Sequence, residues 1–500
     1  MNNPGTEETR SYRNIFKATT LFGGVQVYQI LISIIRSKFV AVLLGTAGMG
    51  IQGLLQSSIS MVQNFTSLGL AASAVRDVSE ANGSGDINRT ARTVTALRRL
   101  TWLTGLLGMA GVIILSPVLS KTSFGNSDYI LPLMLLSCIP LIDQIGAANA
   151  VILQGMHRLQ DLAKASTIGI TLSLIVCIPL YYIWGIKGIV PALILTSLVS
   201  FVLKAYFANK ISLPHSVLSS KETWHYGKMM LKMGLALSII GTVSAASSYL
   251  TRSYIMQQDG ASAVGLYQAG FAIMGTYVAM VFNAIGTDFY PRLAAVNTDD
   301  SACRSVINQQ GEIATQILGP VLCICALTMP IIIRILYSDK FLDASPYVLW
   351  SCPGMMLKLV SWLVAYLFVA KAESLIFMGT EFFAGVIIVV TNVLGYKYGG
   401  LTGLGIAFSI TYLLYMLFVY IIAARKYRFR FSSEFLRTYG LQVVLVLAAT
   451  FSIIFIESPL KYVLCSLITI VSCVYAIVDL NKKIGLVRTI KSSFSKNQLS

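Results

Sequence analysis

Four basic side chains stand where the sequence is otherwise apolar. Arg36 and Lys38 open the stretch RSKFVAVLLGTAGMG, Arg252 closes the run LALSIIGTVSAASSYLTR, and Lys358 lies inside VLWSCPGMMLKLVSWLVAYLFVA. No Asp or Glu occurs between Glu8 and Asp77, so Arg36 and Lys38 have no acidic neighbour along the chain. A Lys or Arg at the centre of a bilayer costs about 2.5–3.5 kcal/mol on insertion scales, so such a side chain tends to face protein or water. Cations held there are suited to receiving an anion.

Lys358 is the clearest case. It sits about twelve residues from either end of its apolar segment, roughly 18 Å of helix, which is too far for easy snorkelling. Pro353, a little over one turn earlier, is expected to bend that helix. The competing reading is a structural pair with an acid such as Asp143 or Glu381. Arg36 and Lys38 project about 200° apart on an ideal helix, so both need not face the same way, and Lys38 alone could snorkel to headgroups. Arg252 falls at the corresponding point of the second half. The acids inside apolar segments are Asp143, Asp288 and Glu381. They could carry protons or a coupling cation, or simply pair with cations and backbone donors.

The elements that must position these residues are helices. The chain has 500 residues, of which 55% are hydrophobic and only 12% charged, with mean hydropathy +0.72. A soluble domain carries about a quarter of its residues charged. Apolar runs of roughly 20 residues, each able to span about 30 Å of hydrocarbon, recur along nearly the whole length. They place helices near 15–40, 48–72, 99–120, 129–153, 163–184, 187–208, 229–251, 262–290, 313–337, 346–370, 374–398, 400–422, 438–457 and 460–479. The expected fold is all-α and integral to the membrane, with about 14 transmembrane helices. Alternating strand patterns of an outer-membrane barrel are absent.

Positive charge sets the orientation. With the N-terminus inside, 28 of the 38 Lys and Arg fall on cytoplasmic segments, nine on outer ends and loops, and Lys358 lies mid-helix. Both termini are therefore expected in the cytoplasm. The net charge of +17 follows from this bias and from contact with anionic headgroups, and calls for no nucleic acid.

The chain also repeats itself. Gly50 and Gly265, Asn82 and Asn297, Arg89 and Arg304, Gly185 and Gly400, Gly188 and Gly403, and Lys210 and Arg425 are all separated by 215 residues. The repeat holds six helices, so both copies share one orientation. The expected plan is two pseudo-symmetric six-helix lobes around a central cavity, residues 1–213 and 214–427, followed by two C-terminal helices and a cytoplasmic tail over 428–500. Transporters that rock two lobes about a midplane site use this architecture.

Other chemistry finds little footing. The eight cysteines lie mostly in apolar segments without Cys-x-x-Cys or Cys/His spacing, and the three histidines lie in polar stretches, so no metal site is expected. No nucleophile elbow or P-loop appears, and the outer loops are too small to hold the acids and bases of a glycan polymerase. The first apolar run continues without a small-residue cleavage site, unlike a signal peptide.

The first two helices and their loop, SKFVAVLLGTAGMGIQGLLQSSISMVQNFTSLGLAASAVRDVSEANGSGD, resemble the opening of bacterial Wzx-type flippases for O-antigen and enterobacterial common antigen. Shared features are a basic residue, an apolar run, Leu/Phe-Gly-x-Ala-Gly, and a Gly-rich second helix ending in a polar loop. The resemblance covers residues 36–86 specifically and the rest loosely. It implies the polysaccharide-transporter branch of the multidrug/oligosaccharidyl-lipid/polysaccharide exporter superfamily, in the bacterial inner membrane. It further implies a non-enzymatic translocase that carries undecaprenyl-diphosphate-linked oligosaccharide to the periplasmic leaflet. Partners would be membrane lipids, the glycan lipid, and a polysaccharide polymerase and chain-length regulator. Lys38 matches the family's first-helix lysine, and Arg36, nine residues before Gly45, matches an arginine lining the cavity of related lipid II flippases. Lys358 and Arg252 rest on residue chemistry alone. No coupling carboxylate is matched, so no cofactor is implied beyond proton or sodium coupling. Asn64, Gln144, Asn149, Asn283 and Asn392 could meet sugar hydroxyls or bond neighbouring helices.

Two other functions fit the composition. A cation-coupled multidrug exporter of the same superfamily would commonly carry an acid in its first helix, where this chain has only cations. A membrane polysaccharide polymerase or ligase is the alternative of another class.

Overall fold

The computed structural model describes residues 4–214 and 216–484, with side chains described between 25 and 483 except at 27 and 215. The basic tail beyond 484, the side chains of Arg10, Arg13 and Lys17, and His215 lie outside the described residues. Apolar runs in lipid must satisfy their own backbone hydrogen bonds, and helices do so within one segment. The described residues accordingly form α-helices and short 3₁₀ or π turns, and no strand.

In chain order the helices are α1 Pro4–Thr66, α2 Leu70–Gly83, α3 Ile87–Phe124, α4 Ile130–Leu136, α5 Cys138–Gly155, α6 Leu159–Trp184 and α7 Ile189–Ala208. There follow α8 Ser220–Ala272, α9 Met280–Ala295, α10 Asp300–Leu336, α11 Ser345–Ala370, α12 Ser374–Tyr427, α13 Ser433–Phe455 and α14 Leu460–Ile484. Among the described residues, ten stretches are long and apolar enough to cross a membrane, which makes this a multi-pass membrane protein. Helices and crossings do not correspond one to one. Tyr28–Thr66, Leu159–Ala208, Ser220–Ala295 and Ser374–Tyr427 run to 39, 50, 76 and 54 residues, against about 20 for one crossing.

Each long stretch is broken at a glycine. Gly45 (φ 67, ψ −168) interrupts α1 and Gly260 (φ 77, ψ −171) interrupts α8, in a region of backbone space that only glycine enters readily. Gly185 (φ 53, ψ −129) ends α6, and Gly400 (φ 55, ψ −136) breaks α12. Both pairs are 215 residues apart, 45 to 260 and 185 to 400. The repeat read from residue types is thus also a repeat of backbone conformation. A third pair removes any dependence on glycine: His157 (φ 56) and Ala372 (φ 57) follow the ends of α5 and α11 at the same offset. There the amide of Arg158 bonds Leu153 O at 2.8 Å and that of Glu373 bonds Phe368 O at 2.9 Å, closing the two helices alike.

The chain divides into two compact units. The first holds residues through Gly265 together with 336–338, and the second holds 266–335 and 339 onward. In the first, Leu70, Val78, Val94, Leu97, Val151, Ile152 and Met230 form a core where α2, α3, α5 and α8 meet. Ser73 Oγ donates to Met230 O at 2.7 Å, Ser238 Oγ to Asn64 O at 2.5 Å, and Ser123 Oγ to Tyr249 Oη at 3.0 Å, so α8 is sewn to α1, α2 and α3 along its length. In the second unit α11 is the central helix, packed against α12, α9 and α13. Tyr347, Met355, Met356, Leu363 and Phe368 are buried along it.

Candidate functional site

Arg36 and Lys38 lie on α1 between exposed Leu31, Ile35, Phe39 and Val42, which form one apolar stripe. Both are half-buried and flank that stripe rather than extend it. Arg36 turns toward α6, where its guanidinium interacts electrostatically with the Tyr181 hydroxyl. That hydroxyl is buried and has no hydrogen bond of good geometry. Two turns earlier, Tyr28 and Thr171 share a 2.8 Å hydroxyl contact that fixes α1 on α6. Among the described residues Arg36 forms no ion pair. Arg252 is 5% exposed and donates through Nη1 to Ser248 O at 3.1 Å and to Ser248 Oγ. The structure buries it inside the first unit.

Asp143 on α5 also points inward. Ser197 of α7 and Gln63 of α1 lie beside its carboxylate and Lys204 of α7 is its electrostatic partner, although among the described residues no cation comes within 4 Å of it. Gln144, the next residue, donates to Thr104 Oγ1 at 3.0 Å. In sequence Lys204 is one of the 28 Lys and Arg on cytoplasmic segments, and it stands four residues before the end of α7. Its role as the partner of Asp143, 61 positions away, was not visible there.

Lys358 lies in the second unit, half-buried on α11. Its ammonium sits over the Phe282 ring at 5.6 Å and the Tyr412 ring at 5.3 Å. Glu381 of α12 interacts with it electrostatically, and Tyr415 Oη donates to Glu381 Oε1 at 2.8 Å. Among the described residues no carboxylate comes within 4 Å of Lys358. Cation–π contact is worth about 0.5–2 kcal/mol. The rings thus hold the ammonium in place while its three donors stay available. Neither Phe282 nor Tyr412 had a sequence signal, since aromatic residues at membrane depth are commonplace.

Asp288 differs from the other two acids. It stands on α9 with its side chain 70% exposed and pairs with Arg292 one turn on at 3.2 Å. The structure therefore brings Lys358 and Glu381 together in one unit and Asp143 and Lys204 in the other. Among the described residues no group of three or more His, Cys, Asp or Glu converges on a metal-sized site.

Half-buried cations on long, broken apolar helices mark a membrane transporter rather than an enzyme. The chain belongs to the family described as polysaccharide biosynthesis protein, whose model matches residues 39–346. It is 20% identical over 373 residues to the lipid III flippase of Escherichia coli (strain K12), covering 72% of this chain and 86% of that protein. The lipid III flippase of Shigella flexneri matches to the same extent. Among solved structures, the lipid II flippase MurJ in an inward closed conformation aligns with a TM-score of 0.68 at 12% identity, covering 93% of this chain and 99% of that one. An inward-facing multidrug resistance MATE family transporter of the MOP superfamily aligns at 0.61 and 14%, covering 80% and 98%. The fold is that of these transporters.

Proposed function

We propose that this protein is a flippase for lipid-linked oligosaccharide, moving a polyprenyl-diphosphate glycan such as an O-antigen or common-antigen unit across the bacterial inner membrane by alternating access. The observation that carries the reading is Lys358: an ammonium at mid-membrane register, centred by two aromatic rings, with donors available to an anion. A diphosphate entering low-dielectric space loses hydration, and a fixed cation in a wet site offsets part of that loss. Arg36, Lys38 and Arg252, in the first unit, are proposed to serve the same anionic cargo. Relatives named lipid III flippase support this cargo class.

In this reading each of the four long stretches makes two crossings about its break, giving fourteen in all as six, six and two, with both termini cytoplasmic. Asp143, Asp288 or Glu381 would carry a coupling proton or sodium ion, and a polysaccharide polymerase with its chain-length regulator would take the product.

The test is complementation of a deletion strain. Lys358→Gln and Arg36→Gln, each inserted at wild-type level, are expected to lose surface polysaccharide, with Lys358→Arg retaining part of it. Intact polysaccharide from both Gln variants would refute the proposal. The MATE-like fold keeps cation-coupled drug export as the second reading. A deletion that alters drug susceptibility and leaves the glycan unchanged would favour it, and one that leaves single-repeat glycan on the surface would favour a polymerase or ligase.

A further inference from the structure

The second unit carries a helix face unsuited to lipid. Along the membrane-spanning part of α10, by contrast, Ile317, Ile324, Ile331 and Ile335 are exposed. From 275 to 292, across a single π turn at Ile273–Val278 and the whole exposed side of α9, no exposed position holds Leu, Ile, Val, Met or Phe. Thr276, Asn283, Thr287 and Tyr290 recur there at helical spacing, and the exposed Asp288–Arg292 pair stands beside them. Hydrocarbon would leave the side chains of Thr276, Asn283 and Tyr290 without hydrogen-bond partners at a cost of several kcal/mol each, and would surround the Asp288–Arg292 pair, so this face meets water.

Behind it stands an aromatic bank. Trp362 and Tyr366 project from α11 with ring centroids 4.6 Å apart, and Tyr290 of α9 meets Tyr366 at 6.0 Å. Phe282 and Phe289 hold the Trp362 ring from α9 at 5.6 and 5.7 Å. Gly286 leaves the space the indole needs, because a Cβ there would come within 3.2 Å of it. Trp362 and Tyr366 are only half-buried, so the bank is accessible. They stand one and two turns from Lys358 along the same helix, about 6 and 12 Å.

We propose that Trp362, Tyr366 and Tyr290, with Asn283, Thr287 and Asp288, form a pyranose subsite that binds the first sugar of the lipid-linked cargo. The inference rests on the flippase reading above. An aromatic ring covers the C–H face of a pyranose, and neutral or acidic side chains alongside accept and donate to its hydroxyls. A sugar bonded directly to a diphosphate held at Lys358 reaches this bank without leaving the helix. The charge pattern agrees: Lys358 faces the anionic end, and the subsite holds no cation other than Arg292, already paired with Asp288.

The test uses the purified full chain in detergent, with two probes compared by native mass spectrometry. One is polyprenyl diphosphate, and the other is the same lipid carrying one pyranose. Wild type is expected to hold the glycosylated lipid roughly tenfold tighter. Tyr366→Ala and the exposed Thr287→Val should each bring that preference to about twofold or less, with bare-lipid affinity reporting that the variant is folded. Equal binding of the two probes by wild type, or a preference that survives in both variants, overturns the subsite and leaves the flippase reading standing. Binding of neither probe by wild type overturns both.

Discussion

Asp143 and Lys358 occupy the same register of the two repeats with opposite charge. Each stands twelve residues before the end of its helix, Gly155 in α5 and Ala370 in α11, and 215 residues separate them. Each has drawn an opposite charge from another helix of its own unit, Lys204 for Asp143 and Glu381 for Lys358. The two pairs are built differently. Asp143 is set beside the polar side chains of Ser197 and Gln63, whereas Lys358 is bracketed by rings. One position is an acid set among polar side chains, and its equivalent is a cation set between rings.

That contrast predicts an asymmetric response to mutation. Asp143→Leu or Lys204→Met alone leaves a half-buried charge without its electrostatic partner and should destabilise the protein by about 1 kcal/mol, while the double variant should recover most of the loss. Thermal unfolding of the four proteins in one detergent gives the coupling energy. Additive losses in the double variant would mean that the two groups do not interact.

The C-terminal helices are tied to α10 by a buried polar chain. Ser472 Oγ donates to Gln442 Oε1 at 2.7 Å, Gln442 Nε2 donates to Gln316 Oε1 at 2.8 Å, and Gln316 Nε2 donates to Asp479 Oδ2 at 2.9 Å. Gln442→Leu should cost about 1 kcal/mol, consistent with interhelical hydrogen bonds in membranes. It should also raise proteolysis in the α13–α14 connection, and a cleavage pattern like that of wild type would contradict this.

In the first unit two glycines make a reciprocal backbone crossing. A methyl group on Gly50 would lie 1.9 Å from Ala261 O, and one on Gly265 would lie 1.9 Å from Thr46 O. Gly50→Ala and Gly265→Ala should each cost about 1–3 kcal/mol through overpacking, read as a lowered melting temperature. Gly83→Ala, where nothing lies within 4 Å, serves as the control.

Asp299 caps α10 from the loop before it, accepting from the Ser301 amide at 2.7 Å and the Ala302 amide at 3.1 Å. The Ala302 amide first, then the Ser301 groups, holds its carboxyl below the ordinary value of 3.8. The cap's contribution is therefore complete above that value and is lost as pH falls through the lower folded-state value. Hydrogen exchange at amides 301–303 should accelerate relative to neighbouring turns as pH drops into that range. Asp299→Asn, which caps without titrating, should remove the pH dependence.

The sequence by itself determined the all-helical membrane class, the places where long apolar stretches break, and the 215-residue repeat. Hydropathy is a local property, and each break falls at a glycine whose backbone geometry other residues enter only under strain. Gly45, Gly185 and Gly260 lie between spans read from hydropathy alone, and Gly400 is the first residue of one. It also singled out Lys358 and Glu381, because charge in an apolar run is conspicuous wherever the run packs.

Only the tertiary structure decided what those charges meet. Hydropathy does not say which way a helix turns its faces, and that direction is set by packing against segments far along the chain. Hence Lys204 reads as a loop cation until α7 packs on α5, and Asp288 reads as a buried acid until α9 shows it exposed. The same rotation of α9, fixed by Phe282 and Phe289 wedging against Trp362, leaves Asn283 and Thr287 exposed, which no spacing rule announces.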